Sequence, residues 1–280
     1  MTGAGDQQPR TYPPGVTCWI DTEQPDVDAA LAFYGGLLGW SFTEAMPPGA
    51  PGRYVVATLG GQDVAGIGGP ADGEPSWSTY VAVADADEAA AHLTGLGATV
   101  VSPPEDAGPG GRAAVLRDPE GAEFRLWQAR RRLGAQAANV PGAWNFSNLH
   151  TADPAAAQAF YGAAFGWAFA DQGWATSVQV PGYGDHLEST VDPDIRTRQA
   201  QAPEGFEDTI GAIVPVEDEA PHWHVVVTVQ DRDASAALAE SLGATVLRSA
   251  DEEWSRTATV RDPQGAVLTL SQFAPPTDWG

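Results

Sequence analysis

The chain has 280 residues, 43% hydrophobic and 18% charged, a composition that excludes disorder over most of its length and favours two globular domains over one. Its 37 acidic residues against 14 basic ones leave a formal net charge of −23, which disfavours nucleic acid and anionic membranes as partners. Every basic residue is arginine, which excludes lysine chemistry such as Schiff bases, and the single cysteine, Cys18, excludes an internal disulfide and a four-cysteine zinc site.

In chain order, residues 1–13 lack a signal-peptide pattern and are expected to form a flexible tail. No apolar run approaches the roughly 18–20 residues of a membrane span, so a cytoplasmic protein is expected. A first domain is expected over 14–128. After a strand-like run ending near Asp21, Asp26 opens a helix in which Ala30, Phe33, Tyr34, Leu37 and Leu38 share one buried face and Gly39 is the stop. The β-branched and aromatic run at 53–60 predicts a strand, and Asp85 with Glu88 resembles a capping box for a second helix ending at Gly97. Another strand is predicted at 112–118, and 129–142 has the composition of a linker. The second domain is expected over 143–275, with helices opened by Asp153 and Asp231 and an insertion around 183–219.

The two domains are copies of each other. DVDAALAFYGGLLGW (26–40) recurs as DPAAAQAFYGAAFGW (153–167), GLGATV (95–100) as SLGATV (241–246), and RDPEGAEFRLWQ (117–128) as RDPQGAVLTLSQ (261–272). Within each copy the order strand, helix, then about three strands occurs twice. This paired βαβββ unit, the Asp-opened helix with its Phe-Tyr and Gly-Trp, the Leu-Gly-Ala turn and the Asp-Pro-x-Gly turn together resemble the vicinal oxygen chelate superfamily. That group comprises the glyoxalase, bleomycin-resistance and extradiol-dioxygenase proteins, and the tandem arrangement resembles its two-domain actinobacterial members. The resemblance implies an α+β fold in which paired modules form cup-shaped mixed sheets. It does not by itself imply an activity, because one fold hosts unrelated chemistries.

In metal-using members the ligands stand seven residues before the helix-opening Asp and seven after the Asp of the Asp-Pro-x-Gly turn. Here those positions hold Trp19, Ser78 and Arg125 in the first copy and Phe146, His224 and Thr269 in the second. A guanidinium repels a cation and one imidazole is not a metal site, so the expectation is no metal and no cofactor. A non-standard site joining His222 and His224 with His150, His186 and Glu188 is an open alternative.

Strand alternation places Trp19, Asp21, Ser78, Tyr80, Arg125 and Trp127 on the inner face of the first cup, and Trp144, Phe146, Asn148, His150, His222, His224 and Thr269 on that of the second. Aromatic side chains where metal would sit favour stacking on a flat ligand. The candidate acid–base groups are His224 and Asp21, with Arg125 to hold an oxyanion. The insertion is a candidate lid carrying Arg196 and Phe206. Two functions compete: a metal-independent protein that binds a flat aromatic or hydrophobic natural product, for self-resistance or as a pathway accessory, and a metal-free isomerase, cyclase, lyase or hydrolase acting on a polyketide-like substrate. Metal-dependent glyoxalase or dioxygenase activity is disfavoured. The expected partner is a small molecule, and the chain a monomer or homodimer.

Overall fold

The computed structural model describes residues 8–171 and 175–275. The first copy contains β1 (Thr17–Glu23), α1 (Val27–Leu38), β2 (Ser41–Glu44), β3 (Arg53–Leu59), β4 (Gln62–Gly69), β5 (Trp77–Ala82), α2 (Ala86–Gly95), β6 (Thr99–Ala107), β7 (Gly111–Arg117) and β8 (Glu123–Ala129). The second contains β9 (Trp144–Thr151), α3 (Pro154–Phe165), β10 (Ala168–Asp171), β11 (Thr176–Gln179), α4 (Tyr183–Thr190), α5 (Ile195–Arg198), β12 (Thr209–Pro215), β13 (His222–Thr228), α6 (Arg232–Ser241), β14 (Thr245–Asp251), β15 (Ser255–Arg261) and β16 (Val267–Phe273).

Each copy forms one eight-stranded mixed sheet, in the order β2-β3-β4-β1-β5-β8-β7-β6 and, identically, β10-β11-β12-β9-β13-β16-β15-β14. Parallel pairs such as β1 with β4 and β13 with β16 alternate with antiparallel hairpins, so the expected α+β fold of two tandem domains is present. Asp26, Asp85, Asp153 and Asp231 each accept backbone N–H bonds from the first turn of the helix that follows, which is why each helix starts where the sequence predicts. Gly39 and Gly166 end α1 and α3 with φ of 71° and 70°, a conformation that favours glycine.

The chain gathers into two compact units, each combining modules from both copies. Among the described residues, the first unit holds the chain up to Cys18, Tyr80–Gln136 and Leu149–His222; the second holds Trp19–Thr79, Ala137–Asn148 and the chain from Trp223 on. The repeated motifs work as architecture inside these units. In the second, the Tyr34 hydroxyl donates to Asp262 Oδ2 at 2.7 Å, while Asp262 Oδ1 accepts the backbone N–H groups of Gln264, Gly265 and Ala266. In the first, Tyr161 donates to Asp118 Oδ2 at 3.0 Å, and Asp118 Oδ1 accepts from Glu120, Gly121 and Ala122. Thus the tyrosine of one copy's helix steadies the Asp-Pro-x-Gly turn of the other copy. Burial raises the Asp118 carboxyl above its ordinary pKa, against the pull of these hydrogen bonds. The repeated tryptophans also anchor backbone: Trp40 Nε1 donates to Gly142 O at 2.6 Å and Trp167 Nε1 to Gly15 O at 2.8 Å.

Residues 1–7 of the expected tail lie outside the described residues, but Arg10, Thr11 and Tyr12 are tied into the first unit: Gln136 exchanges amide bonds with the Arg10 backbone, and the Tyr12 hydroxyl donates to Ala135 O at 2.6 Å. The stretch 129–142 is pinned along its length, with Arg130 and Arg132 N–H groups donating to Gly110 O, Ala135 N–H to Cys18 O and Gly142 N–H to Thr228 O. The insertion ends before Thr209, because β12 is the counterpart of β4 and pairs in parallel with β9; the extra chain is α4, α5 and a 3-10 turn at Phe206–Asp208.

Candidate functional site

Among the second unit's predicted site residues, Asp21 is fully buried and Trp19 nearly so. Trp19 Nε1 donates to the Tyr54 hydroxyl at 3.0 Å, and that hydroxyl donates to Asp21 Oδ2 at 2.9 Å. Tyr54 lies on β3 and Asp21 on β1, with β4 between them in the sheet. The ring spans β4 because Gly66 has no side chain: a Cβ there would sit 2.0 Å from the Tyr54 hydroxyl and 3.0 Å from the Asp21 Cβ. Sequence reasoning missed Tyr54; the signal was a glycine inside a strand pattern.

Ser78 is half-buried on β5. Trp144 is buried and its indole N–H donates to Ser147 Oγ at 3.2 Å, where Thr79 also donates at 2.8 Å. Phe146 and Asn148 are half-buried and alternate with buried Ser147 and Leu149. His224 is buried, its Nε2 lying 2.8 Å from Thr269 Oγ1, which lies 3.0 Å from Thr259 Oγ1.

In the first unit, Arg125 Nη1 donates to the Tyr80 hydroxyl at 2.9 Å, and the guanidinium carbon stands 5.4 Å from the centroid of the Tyr80 ring. Trp127 meets Tyr80 edge-on at 6.2 Å and donates its indole N–H to Arg132 O at 2.9 Å. Tyr80 and Arg125, with Ser102, Pro103 and Ala113, line an open concavity of about 230 Å³.

The first unit also collects His150 and His222, with ring centroids 4.7 Å apart, and His150 Nδ1 lies 3.1 Å from Glu219 Oε2. Burial pulls the His150 imidazole below its ordinary pKa, with Glu219 opposing. Glu219 was not anticipated, although it closes an acidic run just before His222. The other proposed members go elsewhere. His186 Nε2 is 3.1 Å from both Thr11 Oγ1 and Thr11 O, Glu188 pairs with Arg196, and His224 bonds to Thr269. Arg196 also pairs with Asp185 and Glu207, so this guanidinium fastens the insertion to itself, whereas the sequence reading aimed it at a ligand. Phe206, the other candidate lid residue, is half-buried in the 3-10 turn.

The residues at the family's metal positions do not fit a divalent cation. Trp19, Phe146 and Arg125 offer no lone pair to a metal, Ser78 and Thr269 offer only neutral hydroxyls, and His224 Nε2 is engaged by Thr269. Cys18 is buried, and burial pushes its thiol far up, which favours the protonated form. No helix among the described residues is long and apolar enough to cross a membrane.

Residues 18–127 and 147–271 each match the family model of the glyoxalase-like domain. CFP32 of Mycobacterium tuberculosis, whose assignment as a glyoxylase is itself provisional, is 34% identical over 94% of this chain and 97% of its own length. The anthracycline biosynthesis protein DauV of Streptomyces sp. strain C5 is 34% identical over 94% of each chain. A crystal structure of a Mn(II)-bound glyoxalase from Novosphingobium aromaticivorans superposes with a TM-score of 0.60 at 15% identity, over 92% of this chain and 82% of that one, a likeness of fold alone.

Proposed function

The chain belongs to the glyoxalase-like family of the vicinal oxygen chelate superfamily, and from that premise we propose that it binds a flat aromatic small molecule without a metal at the family's metal positions. The observation that carries this reading is the Tyr80–Arg125 concavity. The Tyr80 ring, packed against Arg125, gives the concavity an aromatic wall, and a guanidinium offers donors to a phenolate, carboxylate or quinone oxygen. The volume of about 230 Å³ lies below the ~300–1,000 Å³ of pockets that enclose a drug-sized ligand, so a fused-ring ligand seats one edge there and leaves the rest outside. The Streptomyces relative named for anthracycline biosynthesis agrees with a fused-ring aromatic ligand and with a role as a pathway accessory. The net charge of −23 repels nucleic acid and anionic membranes.

Equilibrium dialysis of the full chain against an anthracycline and a panel of aromatic phenols, with and without a chelator, tests the proposal. The expected result is binding that survives chelation, weakens about tenfold or more in Arg125→Ala, and returns the ligand unchanged. Binding that disappears with the chelator, or that ignores Arg125→Ala, overturns it.

One feature favours a second reading, metal-free acid–base catalysis. Asp21 is a fully buried carboxylate with the Tyr54 hydroxyl 2.9 Å away, a pair able to hold a proton near a bound substrate. Product analysis separates the two readings, since turnover abolished in Asp21→Asn supports the enzyme.

A further inference from the structure

We propose that His150, His222 and Glu219 form a binding site for a divalent transition-metal ion of the Zn²⁺ type, separate from the family's metal positions. One ligand atom from each residue lies within 4.8 Å of the others. A tetrahedral Zn²⁺ with bonds of about 2.0–2.1 Å holds its donors roughly 3.3 Å apart. His150 Nδ1 and Glu219 Oε2, at 3.1 Å, are already at that spacing. Glu219 is more than half exposed, so its rotamer is free to adjust as the His222 ring closes on the ion.

His222 has the supporting contact of a metal-ligating imidazole. Its Nδ1 is 2.9 Å from Ala220 O, and a carbonyl only accepts, so the proton sits on Nδ1 and Nε2 is the ring nitrogen with ligand chemistry. Two imidazoles and a carboxylate suit Zn²⁺, Co²⁺ or Ni²⁺ and suit Mg²⁺ or Ca²⁺ poorly. Glu217 and Asp218, next to Glu219 in the connection between β12 and β13, add negative potential that attracts a cation. Three protein donors leave a coordination position for water or a ligand oxygen.

The repeat supplies an internal control. The positions equivalent to His150 and His222 in the first copy hold Glu23 and Ser76, so the fold does not require imidazoles there. Both histidines stand apart from Phe146 and His224, further along β9 and at the start of β13, so the site does not restore the family's own ligand set.

The test uses the full chain without an affinity tag, stripped of metal and desalted. Calorimetric titration with ZnCl₂ and metal counting after a second desalting are expected to give one tightly held Zn²⁺ per chain. His150→Ala and His222→Ala each lose it or weaken it more than about tenfold, and MgCl₂ in large excess does not displace it. His186→Ala and His224→Ala, outside the cluster, retain it. Circular dichroism of the metal-free variants checks that they fold, and Glu219→Gln, in an exposed connection, provides a variant that leaves the strands untouched. Zn²⁺ retained undiminished by a His150→Ala/His222→Ala double variant, or no stoichiometric Zn²⁺ in the wild type, overturns the proposal. Aromatic binding by the metal-free chain is measured separately, so either reading can fail without the other.

Discussion

Replacing Gly66 by alanine tests whether the Trp19–Tyr54–Asp21 chain depends on a missing side chain. The new Cβ would lie 2.0 Å from the Tyr54 hydroxyl and 2.5 Å from the ring carbon that bears it, so the whole ring must leave. Its departure breaks the neutral bond to Trp19 and the charge-assisted bond to Asp21, the latter to a fully buried carboxylate. At about 1 kcal/mol for the first and about 1.5–3 for the second, the loss is roughly 2.5–4 kcal/mol. Urea denaturation followed by circular dichroism measures it. Gly66 has no positive φ, so alanine adds no backbone strain, and in a Tyr54→Ala background the clash with the ring is gone. There the same substitution is expected to cost less than about 1 kcal/mol, leaving a contact with the Asp21 Cβ at 3.0 Å. A double-mutant cycle therefore yields a coupling of at least about 1.5 kcal/mol. Equal costs of Gly66→Ala in the two backgrounds would refute the argument.

The two Tyr–Asp contacts are expected to differ. Tyr161→Phe removes the hydroxyl that bonds Asp118 Oδ2 and should cost about 2–3 kcal/mol, whereas after Tyr34→Phe Asp262 Oδ2 keeps the Gln24 amide at 3.0 Å, so the loss should be about 1–2 kcal/mol. Chemical denaturation ranks them, and aromatic binding should be unchanged in both. Because Asp118 binds its proton more tightly folded than unfolded, its contribution to stability falls as pH rises above the unfolded value of 3.8 and levels off above its folded pKa. Asp118→Asn should therefore gain on the wild type across that interval, and an opposite slope in acid-range denaturation would contradict the burial argument. Arg232 is buried with its guanidinium on Ala250 O, Thr257 O and the exposed carboxylates of Asp233 and Asp251; Arg232→Met should cost about 1–3 kcal/mol in thermal or urea unfolding, without affecting aromatic binding.

By itself the sequence determined the repeat, the four Asp-capped helices, the fold family and the absence of carboxylates at Arg125 and Thr269. Those features are local: a cap acts within one turn, and alternation along β9 places Phe146 and Asn148 on one face whatever packs elsewhere. Only tertiary structure decided which distant residues complete each group. Tyr54 reaches Asp21 because Gly66 leaves a gap in the strand between them, and Glu219 joins His150 because the connection before β13 brings it beside the end of β9. The division into units was equally hidden, since identical module patterns in the two copies specify each module's fold without specifying its neighbour. Arg196 illustrates the limit: its charge was legible, but its three carboxylate partners on the insertion depend on how the short helices fold back on one another.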